Sequence, residues 1–150
     1  MKILFKNLKK GAFAIINADD EYAQRFLDVV PEGVKIYTYG VKNNADIKAF
    51  DVNFDIHGAS YKCKIFDKEY QINLELNGMF SVYNSLAALS VAVAMNLNIE
   101  NAVKTLENTK CVAGRFEIVN KKPLIIVDYA HTPDGLKNVL LASKEIMPKN

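Results

Sequence analysis

The sequence predicts an α/β fold, and three features of its hydropathy pattern carry that expectation. An apolar run, Gly11 to Ile16, ends in Asn17-Ala18-Asp19-Asp20, as a buried parallel strand does before a helix. From Ala45 to Leu76 apolar and polar side chains alternate with the period of a half-exposed antiparallel sheet. A second apolar run, Leu124 to Val127, is followed closely by the helix-opening pair Thr132-Pro133. With 150 residues, half of them hydrophobic, the chain can bury one core plus an appended piece.

The elements follow in order. After the first strand, Tyr22 to Val30 reads as a helix stopped by Pro31 and Gly33, and Val34 to Tyr39 resumes a strand that Gly40 ends. That is a strand-helix-strand unit. The alternating stretch breaks at His57-Gly58-Ala59-Ser60 and at Phe66-Asp67-Lys68-Glu69, which makes it a three-stranded antiparallel meander, an accessory sheet. Phe80, Tyr83, Leu86, Ala87, Val91 and Ala94 recur at helical spacing between Gly78 and Asn96, and they predict a helix with these residues on its packed face. Asn98 caps a further helix reaching about Thr109, with Glu100 in its first turn and Lys104 towards its end. Past Cys111 the irregular Val112-Ala113-Gly114-Arg115 marks a domain boundary, so domains are expected at 1–111 and 112–150. The second opens with a strand at Phe116 to Val119, a turn at Asn120 to Pro123, the apolar strand, and a helix from Pro133 to about Met147.

Composition excludes several functions. Nineteen basic against seventeen acidic residues, spread without blocks, leave a charge of +2 and no reason to expect nucleic acid or an anionic membrane as partner. Cys63 and Cys111 lie far apart, with no histidine at metal-ligand spacing, and are read as buried reduced thiols. Leu86 to Leu97 is too short an apolar stretch to cross a bilayer, and Met1 to Lys10 lacks the form of a signal peptide, so the cytoplasm is the expected location.

Four residues are candidates for ligand chemistry. Asp128 stands at the carboxyl end of a strand, the edge where open α/β sheets bind ligands, and His131 lies on the short loop that follows. Spacing alone leaves two readings open, a ligand site or an Asp128 that supports the turn beside an ordinary loop histidine, and it favours the second. Asn84 falls within the expected apolar face of its helix, where a buried amide joins two elements or reads a base edge. Arg115, in the interdomain segment, reaches a phosphate or ribose, or makes an interdomain ion pair. Capping of the following helix accounts for Asp19 or Asp20 without a ligand. No P-loop, GxGxxG fingerprint, GxSxG elbow or zinc signature occurs.

Four segments in order resemble the Mur ligases: Ile16 to Asp20, Leu76 to Asn84, Val112 to Glu117, and Val127 to Asp134. Gly114-Arg115-Phe116-Glu117 followed by Asp128-Tyr129-Ala130-His131-Thr132-Pro133-Asp134 is most similar to the MurE type, which adds L-lysine or meso-diaminopimelate to UDP-MurNAc-L-Ala-D-Glu through an acyl phosphate. The resemblance implies ATP and Mg2+ as cofactors. It implies a Rossmann-like central ATPase domain followed by the start of a C-terminal Rossmann-like domain. It also implies nucleotide contacts by Asn84 to adenine, by Arg115 and Asp128 to ribose or phosphates, and by His131 from the second domain. Other Mur or folylpolyglutamate-type ligases, or a noncatalytic nucleotide-binding module, are the alternatives. Ser81 stands where the family's Asn-x-x-Asn pair has its first amide, and the family's carbamylated lysine aligns with Met1. The chain therefore reads as an internal piece of the enzyme, and its unpartnered second unit suggests self-association. Catalysis of phosphoryl transfer rests on positioning and charge neutralisation. The purified 150 residues are accordingly expected to form no amide in an ATP-dependent ligase assay, and measurable product would overturn that expectation.

Overall fold

The computed structural model describes residues 2–110 and 112–147. A five-stranded sheet in the order β1-β2-β3-β4-β5 is made by Phe13–Asn17 (β1), Lys35–Gly40 (β2), Ile47–Asp55 (β3), Gly58–Ile65 (β4) and Lys68–Leu74 (β5). The first two strands are parallel and the last three form the expected antiparallel meander. The meander continues the parallel pair within one sheet, through a short parallel junction in which Tyr39 faces Ile47 and Gly40 faces Lys48. Asp46 secures that junction, its carboxylate accepting from the Thr38 N–H and hydroxyl, both at 2.8 Å, while its own N–H donates back to the Thr38 hydroxyl at 3.1 Å.

Helix α1 (Lys2–Lys6) was not foreseen, because its lysines interrupt every apolar period; Phe5 stacks on Phe26 with ring centroids 5.1 Å apart. The helix expected over Tyr22 to Val30 is limited to Ala23–Leu27 (α2). Its end tightens into three-residue turns at Val29 and Val30, where Pro31 disfavours helical geometry for the residue before it. With Ala14 and Ile16 these helices form a small core beneath β1.

The main core lies between the sheet and two helices, α3 (Met79–Ala94) and α4 (Ile99–Glu107). Asn98 caps α4 as expected, its side-chain oxygen accepting from Asn101 N–H at 2.8 Å. Helix α3 differs from expectation in which face is packed. Ser81, Val82, Ser85, Leu86, Leu89 and Ser90 are buried, whereas Val91 and Asn84 are exposed. The serines made this face read as polar. Each hydroxyl is satisfied locally: Ser81 donates to Asn77 O at 2.7 Å, Ser85 to Val82 O at 2.7 Å and Ser90 to Leu86 O at 2.8 Å. A serine bonded to the preceding turn presents little polarity to its neighbours, so the face buries at small cost. Tyr61 Oη also meets Ser85 Oγ at 2.6 Å inside the core. Cys63 is free and fully buried, and burial pushes its thiol up to about 12, the inert state expected of it; Cys111 lies outside the described residues.

Asp19 does not cap a helix. Its carboxylate accepts from the N–H groups of Val41 at 2.6 Å, Lys42 at 3.0 Å and Asn43 at 2.6 Å, and from Tyr83 Oη at 2.8 Å. It thus ties the end of β1 to the loop after β2 and to α3, while Asp20 starts α2 by accepting from Tyr22 N–H at 2.8 Å. Burial alone would raise the Asp19 pKa; the three backbone donors and the Tyr83 hydroxyl overcome it and lower the group from 3.8 to about 2.

A depressed carboxylate stabilises the fold above its unfolded pKa, and that contribution disappears as pH falls through the folded value. Asp19→Asn is therefore expected to cost about 1–3 kcal/mol at neutral pH, the scale of hydrogen bonds to a charged group. In urea denaturation the gap between wild type and variant should persist down to pH 3.8 and close as pH approaches about 2. A gap that does not change with pH would contradict this.

Candidate functional site

Beyond α4, Glu117–Lys121 (β6) and Leu124–Val127 (β7) pair as an antiparallel hairpin, and Pro133–Ile146 (α5) packs over it. Thr132 caps α5 as the sequence indicates, its hydroxyl accepting from Gly135 N–H at 3.1 Å with Pro133 at the first helical position. This unit is joined to the sheet by an apolar contact. Phe116, only 4% exposed, is buried with Ala142 and Ile146 among Phe54 of β3 and Phe80 of α3. The Phe116 and Phe80 rings meet edge to face at 5.9 Å.

The corner that carries Arg115 is unusual in backbone. Gly114 has φ of 71° and Phe116 has φ of 48°, so left-handed residues flank the arginine on both sides. Among the bonds that hold the turn are Arg115 N–H to Val112 O at 3.0 Å, Gly114 N–H to Glu117 Oε2 at 2.8 Å, Tyr129 N–H to Gly114 O at 2.9 Å, and Phe116 N–H to Asp128 Oδ2 at 2.7 Å. The other Asp128 oxygen, Oδ1, accepts from Ala130 N–H at 2.7 Å. Asp128 therefore supports the turn, as its spacing suggested, and it does so at the strand end where a ligand edge was expected.

All four candidate residues line one cavity of about 520 Å³ between α3, the Arg115 corner, the loop after β7 and the start of α5. Asn84 enters from α3, Arg115 from the corner, and Asp128 and His131 from the loop. Asn84 differs from expectation in being exposed to this cavity, one helical position beyond the buried face. Its amide is not consumed by core packing. Tyr129, which sequence reasoning passed over, is 75% exposed at the same wall, and its ring stands 6.2 Å from the His131 ring. The signal available for it was a bulky aromatic between an aspartate and a histidine on a short loop. His131 Nδ1 lies 3.1 Å from Tyr129 O; a proton on that nitrogen donates to the carbonyl and leaves Nε2 as an acceptor. Phe80, Leu76, Val112 and Val139 supply the apolar lining.

A larger cavity, about 600 Å³, opens on the other side of Arg115. Two of its lysines have side-chain partners: Lys110 Nζ pairs with Glu75 at 2.7 Å, and Lys121 Nζ meets His57 Nδ1 at 3.4 Å. Behind it, Asn77 orients its amide nitrogen towards Asp55 O at 2.9 Å and Gly58 O at 3.0 Å, the choice its carbonyl surroundings dictate. The smaller cavity is the better candidate, since it combines an amide, a guanidinium, an imidazole and aromatic walls around one space. Among the described residues no group of three or more His, Cys, Asp or Glu side chains is arranged to hold a metal ion, and no helix is long and apolar enough to cross a membrane.

The structure is an α/β fold with a cavity of about 520 Å³ between α3 and the appended hairpin and helix. The chain belongs to the Mur ligase family: the family model described as the Mur ligase middle domain matches residues 1–92. It is 39% identical over 142 residues to the UDP-N-acetylmuramoyl-L-alanyl-D-glutamate–2,6-diaminopimelate ligase of Halalkalibacterium halodurans, covering 93% of this chain and 29% of that protein. A solved structure of a ligase of the same name superposes with a TM-score of 0.77 at 29% identity, over 92% of this chain and 29% of the other. The MurF ligase of Thermotoga maritima, determined in complex with ADP, shares the fold with a TM-score of 0.79 at 23% identity, over 97% of this chain and 34% of that one. The chain thus spans about 29% of the length of the diaminopimelate ligases it matches.

Proposed function

We propose that these residues form part of the ATP site of a cytoplasmic amino-acid ligase of peptidoglycan precursor synthesis. In this reading residues 1–111 belong to the central ATP-binding domain and residues 112–150 begin the C-terminal domain. The whole enzyme joins a diamino acid, lysine or diaminopimelate, to UDP-MurNAc-L-Ala-D-Glu through an acyl phosphate. Similarity to ligases named for diaminopimelate supports that substrate class. The observation that carries the reading is the convergence of Asn84, Arg115, Asp128 and His131 on one cavity, although they are spread from α3 to the loop before α5.

The chemistry of the lining fits a nucleotide. Asn84 offers a donor and an acceptor to the edge of a base, and Tyr129 and Phe80 offer faces and edges against which its ring can lie. Arg115 presents a planar fork of donors suited to anionic oxygens. His131 lines the cavity, and with the proton on Nδ1, 3.1 Å from the Tyr129 carbonyl, its Nε2 is free to accept from a hydroxyl. Mg2+ belongs to the whole enzyme in this reading, where one or two carboxylates together with the nucleotide phosphates would hold it. What this chain's residues do is bind and orient the nucleoside end, leaving the reacting phosphate to groups beyond this cavity.

Because Asn84 is exposed and outside the core, Asn84→Ala is expected to leave stability within about 0.5 kcal/mol, as surface substitutions do. Affinity for a nonhydrolysable ATP analogue should fall about tenfold, the loss of a hydrogen bond to a buried partner, and preference for adenine over guanine should weaken. Calorimetric titration with ATP and GTP analogues checks both. Unchanged affinity and unchanged base preference would remove Asn84 from the site.

A further inference from the structure

Resting on the nucleotide reading above, we propose that Asn138 of α5 is a specificity-determining residue of the same site. Its side-chain oxygen accepts from the exocyclic amino group of adenine, and so separates adenine from purines that carry a carbonyl or a hydrogen at that position. Asn138 lines from α5 the cavity that Asn84 enters from α3, so each of two helices contributes a carboxamide to one space. A smaller cavity of about 280 Å³ continues between α3 and α5, and Asn138 and Phe80 line both. The amide therefore stands beside an aromatic ring where the two spaces meet.

The helix directs this side chain into the cavity. Thr132, Gly135 and Asn138 follow at intervals of three along one face of α5, and all three line the space. A helical side chain leans back over the turn before it. For Asn138 that turn holds Gly135, which has no side chain to fill the room in front of the amide.

One neighbour sets the orientation of the amide. Asn138 Nδ2 donates to Asp134 Oδ2, one turn earlier, at 3.4 Å. The bond is long, but a carboxylate beside a carboxamide also repels its oxygen, and both effects turn Oδ1 away from Asp134. Held in this way, Asn138 offers the cavity an acceptor. Adenine has an amino group to donate, whereas hypoxanthine and guanine place a carbonyl at the same position. An accepting oxygen bonds the first and is left unpaired against the second, which is the physical basis for rejecting a wrong base.

Calorimetric titration of the 150-residue chain with three diphosphates tests the assignment. The ligands are ADP, purine riboside 5′-diphosphate, which differs from ADP in lacking the amino group, and IDP, which carries a carbonyl in its place. Asn138→Ala should weaken ADP about tenfold and leave purine riboside diphosphate unchanged, so the preference for ADP narrows by that factor. Asp134→Ala frees the amide to turn its donor to the cavity, and the ratio of ADP to IDP affinity should fall severalfold. Both substituted residues are exposed, and unchanged circular dichroism checks that the fold is kept. An equal loss for ADP and purine riboside diphosphate in Asn138→Ala would make the residue a packing element and overturn the inference, as would no loss at all. A ratio unmoved by Asp134→Ala would overturn the orientation assigned to the amide. Either result alongside ADP binding by the wild-type chain defeats this inference alone; a wild-type chain that binds none of the three defeats the nucleotide reading and this inference with it.

Discussion

The rotational setting of α3 is the constraint on which the rest depends. Within little more than one turn, its residues serve four surroundings. Val82 and Ser85 enter the core, Ser85 against the Tyr61 hydroxyl; Tyr83 reaches the Asp19 carboxylate at the edge of the sheet; Phe80 meets Phe116 of the second unit; and Asn84 faces the cavity. A helical side chain occupies about 100° of the circumference, so a rotation of that size would exchange these roles. The buried Val82, Leu86 and Leu89, worth roughly 1.5–3 kcal/mol each, resist such a rotation by area, and the Tyr83–Asp19 bond resists it by direction.

Much of the fold was legible because its strands obey simple periods. Alternation from Ala45 to Leu76 located three strands, and Tyr61, Cys63 and Ile65, which that alternation selects in β4, are buried. Thr132-Pro133 located the start of α5 and Asn98 that of α4, because caps are local chemistry. What local pattern could not give was the face of α3. Serines that bond to the preceding turn look polar in the sequence and behave as small apolar residues in the core, so the packed stripe was displaced and Asn84 was placed on the wrong side of it. Nor could it give the partners of Asp19, which lie in a loop more than twenty residues away and on another helix, with Tyr83.

The candidate site shows a similar division. Residue type and strand-end position marked Asn84, Arg115, Asp128 and His131 as candidates while favouring a structural role for Asp128 and His131, and their nucleotide roles came from the family resemblance; that all four line one cavity is a tertiary fact, formed where Phe116 docks among Phe54 and Phe80. Asp128 illustrates why a bland reading and a functional one need not exclude each other. It supports the turn, and the turn it supports is a wall of the cleft. Tyr129 went unselected because an aromatic on a short loop carries no spacing signal; only its 75% exposure beside the cavity identifies it.

The most direct test of a single cleft is to follow individual residues by nuclear magnetic resonance while ADP is added to the chain. The Asn84 side-chain amide, the Arg115 guanidinium, the Tyr129 ring and the His131 imidazole should shift together with one midpoint, leaving His57 and Lys121 of the neighbouring cavity unmoved. Shifts centred on His57 and Lys121, or an Asn84 amide that stays still while the loop residues respond, would contradict the account.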